Sequence, residues 1–492
     1  MNNTTRESPA SRYYNFLLER DLNDASESWR SKEVAFVTPE LPTIAGPIER
    51  HPLLGTDLFL TLVIQNCHIV PSVIDIDKFK IALSKTLSVF PTFAGRIRNQ
   101  AGHWWIDLTN SPVPLTIDRS STSPLPEDWV VTERHLSSFI EPLKVTTGEI
   151  VNYDEPLVSV KLSFYPGSNQ TVIGYILPHM ISDGYNTMRF AQTLSNFYQG
   201  IDLPRPVYYT PQPFITTPTA PASDASFVTP TATDRGIGDG FLRLEDAYGI
   251  YADDHARSTP VRIRMTASQC LRLKALVKEQ MAADNTTLSV KESISRQDAI
   301  SAFLVMTLNR FLSRPITHVQ NLWNWRASAD PIHVGGNAVR ANVTPPLAPD
   351  QQQDMASIAF AIRQTLMLNR SSEVFRVEAP IMQRRLLDHA NHGDLIFVPA
   401  REGRITINSN LHFDWHAAHF GFPGRVRFHT AWYGDRSVRI FQSNPNIVDG
   451  SAIDSRQGLI DVVFRVVSGI RDQVLEAIER DLNALDTQIA VK

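Results

Sequence analysis

"YILPHMISDGYNTMRF", residues 175–190, changes character halfway along its length. Tyr175 to Leu177 close the run "TVIGYILP", which is apolar enough for a buried central strand. A proline and a histidine follow, an Asp-Gly pair comes four and five residues after the histidine, and a helix-like segment lies beyond. The stretch therefore places His179 at the end of a buried strand, either as a catalyst or as a packing residue.

The "HMISDG" segment suits proton-transfer chemistry. A neutral imidazole that faces a cleft can take a proton from a hydroxyl or amine as that group attacks a carbonyl. Asp183, followed by Gly184 in a tight turn, can fix the backbone that aims the ring. The alternative is a histidine satisfied by a backbone carbonyl, with Asp183 capping the next helix. The segment taken alone leaves both interpretations open.

The composition indicates a globular protein with two lobes. The chain has 492 residues, more than one ordinary core holds, and 42% of them are hydrophobic. A net charge of -4 gives no basic footprint for nucleic acid. We expect Cys67 and Cys270 to be buried thiols in a reducing compartment. No secretory signal and no membrane-spanning run is visible, so a cytoplasmic location is expected.

Periodicity and composition divide the chain. In the first part, residues 73–90 have helical spacing, and "PLVSVKLSFYPG" alternates like a half-buried strand. Residues 203–240 are dominated by Pro, Thr, Ala and Ser, a composition typical of a long connector. We therefore predict one lobe over residues 1–202, a linker over 203–240 and a second lobe over 241–492.

The second lobe is also predicted to mix strands and helices. "SRQDAISAFLVMTLNRFL" (295–312) and "GLIDVVFRVVSGIRDQVLEAIERDL" (458–482) both have the pattern of amphipathic helices. Between them, "GRITINSNLHF" and "VRFHTAW" have the pattern of strands. The sequence contains no Gly-rich phosphate loop, zinc-ligand spacing or G-x-S-x-G turn, which excludes several common enzyme classes.

Further segments place the histidine motif in a family context. "LSKTLSVFPTFAGRIR" (83–98) lies upstream of it, and "SRQDAISAFL" and "NWRASADPIHVGGNAV" (324–339) lie downstream. With "HMISDG" matching HxxxDG, their order and spacing resemble the BAHD superfamily of acyl-CoA-dependent acyltransferases over residues 83–424. Within that superfamily the chain looks most like the fungal branch, such as the trichothecene 3-O-acetyltransferases.

The resemblance implies a fold and a mechanism. The fold would be α/β, with two chloramphenicol-acetyltransferase-like lobes of mixed sheets around a central solvent channel. His179 would be the general base, Asp183 would orient the turn that carries it, and Gly184 would complete that turn. Arg326 falls on the family's characteristic arginine, and we expect it to pair with Asp183.

Two family signatures are altered in this chain. "HFGFPG" (419–424) stands in place of DFGWG, and His419 replaces an aspartate that can hold an arginine bidentately. We therefore treat His419 and Gly421 as structural positions and carry over no ion pair. "NSN" (408–410) stands in place of TSW, where Asn410 is either an oxyanion donor or a solvated residue at a strand end.

Contacts with a cofactor rest on the resemblance alone. Ser295 matches a position that contacts the pantetheine arm of coenzyme A in relatives. Arg401 and Arg404 can meet the coenzyme A phosphates or be ordinary solvated arginines.

Three histidines, His412, His416 and His419, have a spacing that a metal site on a helix would use. The family alignment places them in strand and loop instead. We therefore expect surface or packing histidines and no metal.

The resemblance predicts an acyl-CoA-dependent O-acyltransferase. It would move an acyl group, most simply acetyl, from acyl-CoA to the hydroxyl or amine of a small hydrophobic specialised metabolite. His179 would take the proton without an acyl-enzyme, acyl-CoA would be a co-substrate, and a monomer without a tightly bound cofactor is expected. Two alternatives stay open: an enzyme of the same fold that uses a carrier-protein thioester or promotes a cyclisation, and a non-catalytic small-molecule-binding protein.

Overall fold

The computed structural model describes twelve segments of the chain. They are residues 32–58, 62–119, 121–132, 136–144, 147–202, 253–283, 293–328, 335–393, 403–431, 437–448, 451–453 and 459–487. The predicted linker, 203–240, lies outside these residues, so the predicted lobe boundaries stay predictions.

Within these segments the strands are short to medium in length and fall into four sheets. In chain order they are β1 (Lys32–Val37), β2 (Arg50–Pro52), β3 (Val63–Val70), β4 (Arg96–Gln100), β5 (His103–Asp107), β6 (Val113–Asp118), β7 (Val131–Thr132), β8 (Ser159–Tyr165), β9 (Gln170–Pro178), β10 (Ser258–Met265), β11 (His318–Asn324), β12 (Val339–Val343), β13 (Arg404–Ser409), β14 (Arg427–Ala431), β15 (Ser437–Gln442), β16 (Asn446–Val448), β17 (Ser451–Ile453) and β18 (Ile460–Val467).

Two large mixed sheets form the framework. The first has seven strands in the order β1-β6-β8-β9-β3-β14-β7, and the second has six in the order β10-β18-β15-β13-β11-β12. Strands β2, β5 and β4 make a small third sheet, and β16 pairs with β17. Strand β9 lies between β8 and β3 and is buried along nearly its whole length, as the apolar run that ends at Pro178 predicts.

The helices pack on the large sheets. In chain order they are α1 (Gly55–Leu58), α2 (Ile76–Val89), α3 (Thr147–Ile150), α4 (Gly184–Tyr198), α5 (Ala267–Ala283), α6 (Arg296–Leu308), α7 (Met355–Asn369), α8 (Ser372–Asn391) and α9 (Arg471–Thr487). Helix α2 begins after Asp75, whose carboxylate accepts from the backbone of Lys78, and Pro91 directly follows its C-cap. Each large sheet with its helices encloses its own apolar cluster.

One strand from the second half of the chain lies in the first sheet. Strand β14 pairs antiparallel with β3 and parallel with β7. The first sheet is therefore completed by a segment that comes more than 240 positions after the last strand preceding it in that sheet, which is β9. This exchange joins the two halves through backbone hydrogen bonds as well as through side chains.

One predicted helix is wrong in its first half. Residues 458–482 were expected to be a single amphipathic helix, but Ile460–Val467 is strand β18 and only Arg471–Thr487 is helical. Strand β18 lies between β10 and β15 and is buried over seven of its eight residues. Such a central strand has no solvent-exposed face, and its β-branched valines favour extended backbone over helix.

The two cysteines agree with the expectation from sequence. Cys67 and Cys270 are both buried and both free. Burial in apolar surroundings raises the pKa of Cys270 to about 11, so this thiol stays protonated near neutral pH.

Among the helices in the described part of the chain, none has the length and apolar character that crossing a bilayer requires.

Candidate active site

His179 follows the last residue of β9 and begins a short 3-10 turn, His179–Ile181. Its backbone N–H donates to the carbonyl of Leu62 at 2.7 Å, which anchors the turn to the chain just before β3. Pro178 has no N–H to continue the ladder, and this accounts for the end of the strand at this point. The His179 side chain is half-buried, whereas its neighbours Met180 and Ile181 are buried.

Asp183 is the N-cap of helix α4 and also one half of a buried ion pair. Its carboxylate accepts from the backbone N–H of Asn186 at 2.9 Å. The Arg326 guanidinium binds it bidentately, with Nη1–Oδ2 at 2.7 Å and Nη2–Oδ1 at 3.2 Å. The two side chains are only 4% and 1% exposed, and the N–H of Ala338 donates to the same carboxylate. The expected contact between Arg326 and Asp183 is therefore present, and Asp183 also caps the helix.

The ring of His179 is held by Asn337, which follows Gly336 just before strand β12. Asn337 Nδ2 donates to the backbone carbonyls of His179 at 2.6 Å and Met180 at 3.0 Å. These two bonds fix the amide, so Asn337 Oδ1 is the atom that faces His179 Nδ1 at 3.2 Å. An amide oxygen can only accept, and His179 Nδ1 must therefore carry the ring proton. The neutral imidazole is left with its lone pair on Nε2.

The surroundings of His179 favour the neutral ring. Burial lowers its pKa from the ordinary value of 6.5, and the positive charge of Arg439 acts in the same direction. The carboxylate of Asp183 and the bond to Asn337 offset this effect in part. Near neutral pH the imidazole is therefore unprotonated, which is the state that a general base needs.

Asp57 lies behind Asn337 on the short helix α1. Its Oδ1 accepts from the backbone N–H of Asn337 at 3.3 Å, and its Oδ2 accepts from that of Leu54 at 2.7 Å. Burial raises the pKa of Asp57 to about 7, and the nearby carboxylate of Asp183 acts in the same direction. A carboxyl that titrates near neutrality is typical of functional sites.

The second half of the chain closes against the histidine turn at Gly184. A Cβ atom placed on Gly184 would lie 3.4 Å from Asn410 Oδ1 and 3.5 Å from the ring of Phe413. Asn410 follows strand β13, is buried, and donates through Nδ2 to Asn408 Oδ1 at 3.2 Å. The structure thus brings Asn410 next to the HxxxDG turn and does not place it in solvent.

The "HFGFPG" segment packs on helices of the first half. His419 is half-buried, and its Nδ1 accepts from the backbone of Gly421, a residue with φ of +96°. Phe420 is buried against Phe79 and Tyr198, and its N–H donates to Ser195 Oγ on α4. An aromatic side chain in this segment therefore makes the contact with the helix that carries Asp183.

The residues predicted to contact a cofactor lie in different structural settings. Ser295 is the N-cap of α6 and shares a capping box with Asp298, whose carboxylate also binds Arg363. Its hydroxyl is thus already engaged in a cap. Arg404 is half-buried at the start of β13, and Arg401 lies outside the described residues.

The three histidines with metal-like spacing lie in different environments. His416 is buried and Nε2 is 3.1 Å from Asn444 Oδ1, His412 is exposed, and His419 Nδ1 accepts from the backbone of Gly421. Among the described residues no group of three or more His, Cys, Asp or Glu has an arrangement that could hold a metal ion.

A basic cluster near His412 was not predicted from the sequence. Partial desolvation of the His412 ring lowers its pKa although the side chain as a whole is exposed, and the charges of Arg370, Arg296 and Arg363 lower it further. Arg296 is the first residue of α6, and both Arg296 and Arg370 are exposed. The three arginines come from two segments, α6 and α7 with its C-cap, and His412 comes from a third, so no local sequence pattern marks the cluster.

Comparisons with known proteins give one matching family model and several solved structures of similar fold. Residues 49–227 match the model of the Transferase family, whereas no curated protein matches the chain. The structure is similar to that of vinorine synthase, with a TM-score of 0.55 and 15% identity over 89% of this chain and 94% of that one. It is also similar to F. sporotrichioides TRI101 in complex with coenzyme A and T-2, with a TM-score of 0.61 and 14% identity over 88% and 97% of the two chains.

A second complex, F. graminearum TRI101 with ethyl coenzyme A, gives a TM-score of 0.61 at 12% identity over 88% of this chain and 97% of that one. The chain has the two-domain fold of the BAHD acyltransferases. The resemblance predicted from "HMISDG" and its flanking segments is confirmed.

Two residues of the site were missed as functional candidates. Asn337 lies in the segment 324–339 that carries part of the family resemblance, and that segment was the available signal for it. Asp57 carries no motif that the sequence analysis used, and it reaches the site only because α1 packs beneath Asn337.

Proposed function

We propose that this protein transfers an acyl group from acyl-CoA to the hydroxyl of a small hydrophobic acceptor. The observation that carries the proposal is the fixed tautomer of His179. Its Nδ1 proton is directed at Asn337 Oδ1, which leaves Nε2 as the basic atom. The fold shared with BAHD acyltransferases supports the same reaction class.

The reaction needs one proton transfer in each direction. His179 Nε2 takes the proton of the acceptor hydroxyl as its oxygen attacks the thioester carbonyl. The tetrahedral intermediate then collapses, the carbon–sulfur bond breaks, and the imidazolium returns the proton to the thiolate of coenzyme A. No acyl-enzyme is required, because both substrates are held together and proximity supplies much of the acceleration.

Asn410 is the best-placed side chain to stabilise the oxyanion. It is buried beside Gly184, and its Nδ2 group carries a second N–H besides the one that bonds Asn408. Losing one such donor costs about 10²–10³-fold in turnover in enzymes with a well-formed oxyanion hole. We assign Asn410 this role.

The exposed basic cluster suits the phosphates of coenzyme A better than the residues predicted from sequence. Arg296 and Arg370 present charge close to the N-terminus of α6, which itself favours anions. His412 belongs to the same cluster and comes two residues after Asn410, so the cluster lies on the Asn410 side of the site. Arg404 and Ser295 remain weaker candidates.

Acetyl-CoA is the donor we propose first, because it is the simplest acyl-CoA. We propose a cytoplasmic monomer that acts on a specialised metabolite, as the resemblance implies. The acceptor's identity depends on side chains from both halves of the molecule, and fold similarity does not transfer it.

Calorimetric titration with coenzyme A and acetyl-CoA tests the donor without knowledge of the acceptor. We expect micromolar binding that persists in His179→Ala and weakens about 10- to 150-fold in Arg370→Gln, since a charge-assisted contact contributes about 1.5–3 kcal/mol. Arg314→Gln, an arginine outside the cluster, is the matched control. If neither coenzyme A nor acetyl-CoA binds, the proposal that free acyl-CoA is the donor is contradicted.

Consumption of acetyl-CoA in the presence of a panel of alcohols and amines then tests the chemistry. His179→Ala should lower turnover by roughly 10²–10⁴-fold. The exposed histidine variant His103→Ala should retain wild-type turnover. Near-normal turnover in His179→Ala would remove His179 from the role of general base.

A further inference from the structure

Asn337 has no freedom to rotate its side chain. Its backbone N–H donates to Asp57 Oδ1, its Nδ2 donates to two carbonyls, and its Oδ1 faces His179 Nδ1. The backbone N–H of Asn337, the Nδ2 group of its side chain and its Oδ1 atom are thus all engaged. Turning the amide over would direct an NH₂ group at His179 and leave the carbonyls of His179 and Met180 facing an oxygen.

Asp57 is the group that holds the backbone of Asn337. The Asp57 side chain is 4% exposed, and its two oxygens accept hydrogen bonds from the backbone N–H groups of Leu54 and Asn337. The first contact fixes the carboxylate to its own turn, and the second crosses to the segment that precedes β12. Asp57 therefore ties the position of Asn337 to helix α1.

Helix α1 is itself fixed from behind by α8. A Cβ atom on Gly55 would lie 2.4 Å from the carbonyl of Gln383, so only glycine permits the observed approach of α1 to α8. The N–H of Thr56 also donates to Gln383 Oε1 at 3.2 Å. Rigid support of this kind is what a residue needs to position another group within a few tenths of an ångström.

We propose that Asp57 is a positioning residue for His179, which acts by holding Asn337 so that the imidazole keeps its proton on Nδ1 and its basic Nε2 free. The chain of contacts runs from α8 through α1 and Asn337 to the ring, and none of these residues except His179 needs to touch substrate. This assignment rests on the proposed function, in which His179 is the general base.

A stabilising role alone does not explain the carboxylate. Burial raises the pKa of Asp57, because burying this side chain costs more free energy in its charged form than in its neutral form. Near and above neutral pH the fold nevertheless buries the charged form. Asp57→Asn should for that reason unfold at nearly the wild-type temperature at pH 8. The amide has one oxygen in place of two, however, and either Leu54 or Asn337 loses its acceptor.

The reactivity of His179 toward diethyl pyrocarbonate measures this effect directly. The reagent attacks an unprotonated ring nitrogen, and peptide mass spectrometry gives the rate at His179 without any acceptor or acyl-CoA. We expect Asp57→Asn to slow carbethoxylation at His179 about twofold, because one hydrogen bond changes the tautomer equilibrium by up to about tenfold and so lowers the fraction of rings with a free Nε2 from about nine-tenths to about half. Asn337→Ala should slow it at least as much.

Asp118→Asn is the matched control, since Asp118 is a buried carboxylate on β6 that has no contact with Asn337 among those described here. It should leave the rate at His179 unchanged. With an active acceptor, Asp57→Asn should lower kcat and leave the KM for acetyl-CoA near the wild-type value. A general loss of folded protein would instead raise the rate of carbethoxylation at His179, and also at the buried His68 and His429.

The outcomes separate this inference from the proposed function. A wild-type rate in Asp57→Asn together with a slowed rate in Asn337→Ala would overturn the role of Asp57. Unchanged rates in both variants would overturn the positioning chain as a whole. A slowed rate in Asp57→Asn, combined with full turnover in His179→Ala, would retain the chain of contacts and reject the proposed function.

Discussion

At the scale of single residues, the chemistry of His179 depends on an amide 158 positions away in the chain. Asn337 sets the tautomer, and burial with the charge of Arg439 keeps the ring neutral. Arg439 lies opposite Asn408 in the pairing of β13 with β15, and its Nη1 donates to the carbonyl of Ala431 at the end of β14. A fixed cation thus acts on the base from the second sheet.

The pH dependence of turnover should report this arrangement. Because the pKa of His179 is lowered from 6.5, the loss of turnover that comes from protonation of the base should lie below pH 6.5, separate from any change near pH 7 that comes from protonation of Asp57. Arg439→Gln removes a charge that opposes protonation, so the acid limb should move to higher pH by roughly half a unit.

The measurement is the rate of acetyl-CoA consumption between pH 4.5 and 8. Arg50→Gln serves as the control, since that side chain is 67% exposed and pairs with Asp107. An acid limb that stays in place in Arg439→Gln would show that Arg439 does not act on the base.

At the scale of elements, the first turn of α4 joins the two halves of the molecule. Asp183 caps this helix as a local sequence rule predicts, and the same carboxylate receives Arg326 from the segment after β11. A buried pair of this kind contributes little net stability, but removing one partner leaves the other charge buried without compensation.

A comparison of two N-cap residues, Asp75 and Asp183, separates the effect of the ion pair with Arg326 from the effect of helix capping. Asn caps a helix as well as Asp does, so Asp75→Asn at the exposed start of α2 should change the free energy of unfolding by less than about 0.5 kcal/mol. Asp183→Asn keeps the cap but strands the Arg326 charge, and it should cost about 3–5 kcal/mol.

Urea unfolding of the two variants at pH 7.5 checks this prediction. The double variant Asp183→Asn with Arg326→Met should recover part of the loss, because no buried charge then remains unpaired. Equal free energies of unfolding in the two single variants would mean that the ion pair does not contribute to stability.

The elements also show where local patterns succeed. Helix α2 begins and ends within three residues of the prediction, because an N-cap aspartate and a proline mark its ends. Strand β18 was missed, because a fully buried strand has no alternating pattern and continues directly into helix α9.

At the scale of the whole molecule, the junction between β3 and β14 buries two histidines. His68 and His429 lie on these adjacent strands, and neither side chain has measurable exposure. Burial lowers the pKa of each to about 3. Both rings are therefore neutral in the folded protein at any pH near neutrality.

This burial should make the fold sensitive to acid. In the unfolded chain a histidine binds a proton below about pH 6.5, whereas the folded state does so only near pH 3, so stability is complete above pH 6.5 and falls as the pH drops. At pH 5.5 each histidine should lower the free energy of unfolding by about 1.4 kcal/mol relative to pH 7.5.

Urea unfolding at pH 7.5 and 5.5 tests the effect by comparison with variants. His429→Gln keeps a donor for the carbonyl of Trp129 but cannot bind a proton, and it should lose about 1.4 kcal/mol less than the wild type over this range. His103→Gln, at an exposed position, should match the wild type. An unchanged difference in His429→Gln would show that this ring does not resist protonation.

The strand, turn and helix around His179, the pairing of Asp183 with Arg326 and the fold were predicted from the sequence, because they follow from local patterns and from a motif order, whereas the cap at Asp183 was one of two alternatives. The folded structure alone brings Asp57 beneath Asn337, places Arg439 where its charge lowers the pKa of the base, and gathers Arg296, Arg363 and Arg370 around His412. The physical reason is that local backbone preferences act over a few residues, whereas these groups meet across 42 to 280 positions through the packing of two sheets and the exchange of β14.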